Sequence, residues 1–165
     1  MKIGVISDTH LKGFDETLKR TAEAHFGGVD LILHAGDLVE PEVLGVFSGT
    51  AVLAVAGNMD SRAVRETLPG KRVIQAGRFR IGLIHGWGSP ADIEERLLEA
   101  FSSETIDCLV YGHTHRAVNH RNAGILFFNP GSPTDRFFSS RRSIGILDIG
   151  NEITGSIIDL KDGVS

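Results

Sequence analysis

The chain has 165 residues, a formal net charge of −4, 41% hydrophobic residues and a single cysteine. That length suits one domain over residues 1–165 with a core of its own, and the lone Cys108 excludes an internal disulfide. The acidic balance and dispersed basic residues argue against a nucleic-acid polymer as partner, and no apolar run approaches the roughly 20 residues that a membrane-crossing helix requires.

In chain order, Ile3-Gly4-Val5-Ile6 reads as a buried strand that starts almost at the amino terminus, so no export signal is expected. Residues 15–26 place Leu18, Ala22 and Phe26 at helical intervals. Leu31-Ile32-Leu33 is a second strand, and residues 41–47 open a helix with Pro41 in a favoured first-turn position. Further strands fall on residues 51–56 and 81–84. Residues 89–101 predict a helix with Ser89 as N-cap, Pro90 in the first turn and an apolar stripe of Ile93, Leu97, Leu98 and Phe101. Residues 108–111 form a fifth strand, in which Cys108 is a packed core thiol suited to a reducing, cytoplasmic setting. Beyond Arg116 the pattern turns to short strands, with tight connections at Asn122-Ala123-Gly124 and Gly150-Asn151 and an antiparallel pair over residues 143–149 and 153–160. Strands alternating with helices and then giving way to hairpins predict an α/β fold of two stacked mixed β-sheets flanked by helices.

The five apolar runs share one property: each ends beside side chains of metal-binding type. These are Asp8-Thr9-His10, Gly36-Asp37, Gly57-Asn58, His85-Gly86 and Gly112-His113-Thr114-His115. Functional groups in open α/β sheets gather beyond the carboxyl ends of strands, so all five fall where one site could be built. A Gly-Asp or Gly-Asn pair taken alone is most often a turn, whereas two His flanking a Thr after a buried strand are hard to justify by packing. Carboxylates mixed with imidazoles suit Mn, Fe, Zn, Ni or Co better than an all-oxygen shell for Mg or Ca would. Asp37 is the obvious candidate to bridge two ions roughly 3.5–4 Å apart, and such a centre, carrying about +1 with its hydroxide, welcomes an anionic ester.

The set DTH, GD, GN, HG and GHTH, in that order, resembles the calcineurin-like metallophosphoesterase superfamily, and the match covers nearly the whole chain. The GNMD version of the third motif and Asn129-Pro130-Gly131-Ser132 are similar to its compact bacterial and archaeal phosphodiesterase branch. The resemblance implies that Asp8, His10, Asp37 and His115 hold one divalent ion and Asp37, Asn58, His85 and His113 a second, with Mn expected and Ni, Co, Fe, Zn or Mg as alternatives. It also implies in-line hydrolysis of a small phosphodiester by a hydroxide on that dinuclear centre. Candidate catalytic residues are Asp37, Asn58, Asp60 and His113; candidate substrate contacts are Asn58, Ser132 and Arg136. Many members carry GNHE, whose His is thought to assist the leaving oxygen; Met59 occupies that position here and cannot donate a proton, so Asp60 or a water would have to substitute. Rival readings are a noncatalytic protein-binding scaffold of the same fold, as the resembling retromer subunit is, and a phosphomonoesterase or nucleotide hydrolase. A homodimer is a further option with no residue that argues for it.

Other residues carry weaker signals. His25 reads as a helix C-terminal residue, His34 equally as a satisfied core histidine or a partner behind the ligands, and His120 as plain surface. Trp87 could stack on an aryl or base leaving group or simply pack its loop, and Arg141 and Arg142 are weak phosphate contacts.

Overall fold

The first strand, β1 (Lys2–Ile6), shows how the layers form. Ile3 and Val5 enter a core between two sheets, whereas Ile6 enters a second core beneath helices, as the two-residue period of a strand demands. Gly4 shares the helix-facing side, where a Cβ would stand 2.8 Å from the Phe26 ring, so the missing side chain lets the first helix pack close. The computed structural model describes residues 1–135, 137 and 141–160.

The order continues as α1 (Glu16–Phe26), β2 (Leu31–His34), a 3₁₀ helix (Pro41–Phe47), β3 (Val52–Ala54) and α2 (Arg62–Thr67). It proceeds through β4 (Lys71–Ala76), β5 (Phe79–Ile84), α3 (Ile93–Ala100), β6 (Cys108–Val110), β7 (Val118–Asn122), β8 (Ile125–Asn129), β9 (Arg142–Ile149) and β10 (Ile153–Leu160). Two five-stranded sheets result, ordered β10-β9-β1-β2-β3 and β4-β5-β6-β8-β7. Within them β1, β2 and β3 run parallel, as do β5, β6 and β8, while β4, β7, β9 and β10 pair antiparallel with their neighbours. The expected pair of stacked mixed sheets flanked by helices is therefore present. The described residues include no helix long and apolar enough to cross a membrane.

Three apolar clusters hold the layers. The inter-sheet core joins Ile3, Val5 and Leu33 to Ile81, Leu83 and Val110; a second cluster seats α1 and the 3₁₀ helix on the first sheet, and a third seats α3 on the other. Cys108 lies fully buried in the inter-sheet core, which pushes its thiol pKa up and makes it a packing group. Phe128 of β8 reaches across to the opposite sheet, where Gly145 and Gly155 leave room for its ring: a Cβ on either would lie 2.5 Å from it.

Local chemistry explains the boundaries. Asp15 caps α1 by accepting from the Leu18 N–H at 2.6 Å, and His25 lies in the last turn of that helix. Residues 41–47 form a 3₁₀ helix, and α3 starts at Ile93, four residues beyond the expected Ser89 cap. The Ser89 hydroxyl instead accepts from the Ala91 N–H at 3.2 Å, and the Arg96 guanidinium binds the carbonyls of Trp87, Ser89 and Ala91, holding the segment as a loop. Ala123 and Gly124, both at positive φ, make the two-residue turn between β7 and β8, a hairpin that the sequence signals correctly.

The contact of Phe128 with two glycines gives the first test of this packing. Gly145→Ala should lower stability by about 1–3 kcal/mol in urea unfolding, and Phe128→Leu in the same chain should recover part of that loss. Strictly additive losses would show that the two positions do not share the space assigned to them.

Candidate metal centre

Five strands deliver their exits to one place. Asp8 and His10 follow β1, Asp37 follows β2, Asn58 follows β3, His85 follows β5, and His113 and His115 follow β6. Five of these seven have left-handed backbones: Asp8 at φ 54°, His10 at 46°, Asp37 at 55°, His113 at 70° and His115 at 56°. Non-glycine residues rarely adopt this region, which costs on the order of 1–2 kcal/mol each, so the surrounding fold imposes it. Glycines let the loops close: a Cβ on Gly57 would collide with the Asp37 carboxylate, and one on Gly112 with Ser7 and Asp8.

The functional atoms converge. His10 Nε2 and His115 Nε2 lie 3.1 Å apart, and His115 Nε2 is 3.4 Å from Asp8 Oδ1. Asp37 Oδ2 lies 3.2 Å from His85 Nε2 and 3.7 Å from His10 Nε2, so it faces both halves of the cluster. Asn58 Oδ1 sits 3.1 Å from both His85 Nε2 and His113 Nδ1. Asp8, His10 and His115 form one group with metal-ligand spacing, and Asp8, Asp37 and His85 a second. All seven expected ligand positions thus gather in one cluster.

Its electrostatics call for a cation. Asp8 and Asp37 are almost wholly buried, and their ion-pair neighbours among the described residues are all histidines. Burial works against the Asp37 charge, yet the His85 hydrogen bond and charge, aided by the Met59 N–H at 2.7 Å, hold its pKa below the usual carboxylate range. Burial likewise opposes a charge on His85, but the Asp37 hydrogen bond and the Asp8 and Asp37 charges raise its pKa overall. His115 is pushed up to about 9 by its hydrogen bond to Asp8, against burial and with help from Asp135. Carboxylates and imidazoles arranged in this way fit a divalent metal, which would replace the protons that these rings otherwise attract.

Surrounding groups hold the loops. His34 is fully buried; its Nδ1 accepts from the Gly36 N–H and its Nε2 lies 3.2 Å from Thr9 Oγ1, so it ties the Asp8 loop to the Asp37 loop and is both a satisfied core histidine and a partner behind the cluster. Asp60 accepts backbone N–H bonds from Asp37, Val39 and Gly57 at 3.2, 2.6 and 2.6 Å. Both of its oxygens are thereby committed to the backbone, a setting for a positioning group and not for the proton donor expected at that residue. Asn129 donates to the Gly112 carbonyl at 3.0 Å and to Thr114 Oγ1 at 3.1 Å.

Ser132 differs most from expectation. It is fully buried; its hydroxyl donates to the Asp8 carbonyl at 2.7 Å and accepts from the Thr134 and Asp135 N–H groups, so it locks loops together and does not face a substrate. Arg136, the other expected substrate contact outside the cluster, lies outside the described residues. Arg141 pairs with Asp159 at 3.1 Å, and Arg142 begins β9. His120 is more than surface: it pairs with Glu94 at 3.0 Å and stacks on Phe127. Sequence reasoning missed Asp135, whose Oδ2 is 2.6 Å from His115 Nδ1 and fixes that ring with Nε2 toward Asp8. A carboxylate three residues beyond the 129–132 turn was the only available signal.

Comparisons with known proteins agree with this geometry. The sequence model of the calcineurin-like phosphoesterase superfamily domain matches residues 1–152. A probable metallophosphoesterase of Methanothermobacter thermautotrophicus is 39% identical over 135 residues, covering 81% of this chain and 78% of that protein. Among solved structures, an archaeal phosphodiesterase superposes with a TM-score of 0.77 at 26% identity, covering 97% of this chain and all of that one. Zinc-complexed Vps29 of Entamoeba histolytica gives 0.74 at 25% identity, covering 96% of this chain and 99% of that one.

Burial lowers the His34 pKa to about 4 from 6.5, so its neutral form is the one the fold accepts. Stability from this group is complete above pH 6.5 and is lost as pH falls toward 4, because the unfolded chain takes up a proton that the native ring refuses. His34→Gln should be less stable than the parent at pH 7.5, and in chelator that gap should narrow by about 2 kcal/mol at pH 5, read from urea midpoints. A gap independent of pH would mean that His34 does not titrate as its burial requires.

Proposed function

The chain belongs to the calcineurin-like phosphoesterase superfamily, and on that premise we propose that it is a phosphodiesterase that uses two divalent ions to hydrolyse a small phosphodiester. The observation that carries this reading is the approach of Asp37 Oδ2 to both His10 Nε2, at 3.7 Å, and His85 Nε2, at 3.2 Å. Asp8, His10, Asp37 and His115 would hold one ion, and Asp37, Asn58, His85 and His113 the other. Mn is the first choice, with Ni, Co, Fe, Zn or Mg as alternatives, given a mixed oxygen and nitrogen donor set. When bound, such ions supply electrophilic activation of a phosphoryl group and a lowered pKa for water.

The chain's own groups do the positioning. Asn58 is exposed, with its Oδ1 turned toward His85 and His113, so its amide Nδ2 is the donor available to a phosphoryl oxygen. His113 is oriented by its Nε2 contact with the Gly88 carbonyl at 2.9 Å, His85 by its Nδ1 contact with the Ala35 carbonyl at 2.8 Å, and His115 by Asp135. Asp60 and Ser132 keep the loops together. Met59, 59% exposed beside the cluster, offers no proton to a leaving alkoxide, which favours esters whose leaving group departs as a stable anion. The likeness to Vps29 supports a second reading, a protein-binding module, which would have no need of the strained backbone at five donor residues.

After chelator treatment, the protein should hydrolyse bis(p-nitrophenyl) phosphate only when Mn(II), Ni(II), Co(II) or Mg(II) is returned, with p-nitrophenyl phosphate a poorer substrate. Asp37→Asn or His85→Ala should cut kcat by about 100-fold or more. Turnover indifferent to chelator or to both substitutions would belong to a contaminant, and its absence with every metal would favour the protein-binding module. Asp135→Asn should weaken metal affinity by about 10–100-fold in calorimetry while the chain stays folded. Unchanged affinity would reduce Asp135 to a loop residue.

A further inference from the structure

Two cavities meet at Asn58. One, of about 730 Å³, has a floor of His10, Asp37, Asn58, His113 and His115 and a rim of Leu11, Met59, Pro90 and Phe137. The other, of about 580 Å³, runs past His85 and Asn58 to Pro69, Ile84 and Trp87. Large apolar side chains in the open are few among the described residues: Met1, Phe14, Met59, Trp87 and Phe137. Three of those five line these two cavities, with Phe137 92% and Met59 59% exposed, so the apolar exposure is concentrated at the mouth of the charged cluster. Exposed apolar groups placed around a polar floor mark a place where something apolar is covered.

We infer that the larger cavity takes a flat, apolar ester group of the substrate, which makes the substrate class an aromatic phosphodiester and not a dialkyl ester or a polyphosphate. The inference rests on the phosphodiesterase reading above and specifies its substrate. A phosphoryl group over the His10–His113–His115 floor would direct one ester group toward the Met59 thioether and the Phe137 ring, partners that favour an aromatic face. Among the described residues lining this cavity there is no Lys or Arg to pair with a second phosphate. In the smaller cavity, Lys71 is turned to the Ala100 carbonyl at 2.5 Å, which leaves Trp87 and Ile84 as the surfaces for the other ester group. Two cavities sharing one amide match a phosphorus with two ester groups, whereas a monoester would fill only one.

The test holds the leaving group constant. Phenyl p-nitrophenyl phosphate and methyl p-nitrophenyl phosphate both react with water, which breaks the bond from phosphorus to the nitrophenyl oxygen; the products are p-nitrophenol and phenyl or methyl phosphate, with the released proton going to solvent. The Mn(II)-loaded protein should prefer the phenyl ester by roughly tenfold or more in kcat/KM, and calorimetry should show diphenyl phosphate binding more tightly than dimethyl phosphate by a similar factor. In Met59→Ser/Phe137→Ser, built at exposed positions so that folding is not at stake, both ratios should fall toward one. Equal rates and affinities for phenyl and methyl compounds in the parent protein, with metal-dependent hydrolysis intact, overturn this inference and leave the phosphodiesterase reading standing. Hydrolysis of neither ester with any metal overturns that reading and the inference with it.

Discussion

Two carboxylates kept out of water govern this structure. Asp8 and Asp37 are buried at the exits of adjacent parallel strands, and among the described residues only imidazoles stand near enough to pair with them. Burying an unpaired carboxylate is expensive, by several kcal/mol even after relaxation, and a neutral imidazole offsets little of that. His85 and His115 respond with raised pKa values, because each faces these carboxylates. Divalent ions would meet the same demand with greater charge. The left-handed backbones of Asp8, His10, Asp37, His113 and His115 add a conformational cost that the surrounding loops must hold.

The rest of the fold can be understood as the apparatus that sustains this cost. Two stacked sheets present five strand ends to one location, and glycines at 57 and 112 let the exits approach to carboxylate distance. Around them lies a set of side chains whose polar atoms are spent on neighbouring loops: His34 between the Thr9 and Gly36 segments, Asp60 across three backbone N–H groups, Asn129 on the Gly112 carbonyl, Ser132 on the Asp8 carbonyl. Such bonds add rigidity where the backbone is least favourable, so a donor set is preorganised before any ligand arrives.

The division between what the sequence revealed and what it concealed follows the range of each interaction. The candidate ligands were legible because they lie within five positions of strand ends, and a strand of Val, Ile and Leu is recognisable from its own composition. The final hairpins were legible from Gly and Asn at their turns. By contrast β4 and α2 went unseen: β4 pairs in a hairpin through Gly77 and Arg78 but alternates charged and apolar residues weakly, and α2 has only six residues and one buried side chain, Val64. The start of α3 was misplaced because Arg96, inside the helix, reaches back to the carbonyls that precede it, a contact that residue spacing does not encode. Ser132 and Asp60 carry side chains that a sequence reader associates with chemistry, yet partners more than twenty residues away claim Ser132 and two of the three bonds of Asp60. Asp135 shows the reverse: an inconspicuous carboxylate acquires importance only when the fold brings His115 to it.

The most direct examination of the dinuclear reading is the anomalous diffraction of crystals grown with Mn(II). Two peaks roughly 3.5–4 Å apart on either side of Asp37 Oδ2, one beside His10 and His115 and the other beside His85 and His113, are the expected result. No peak in the cluster, or a single ion held only by Asp8, His10 and His115 with Asp37 turned away, would contradict it.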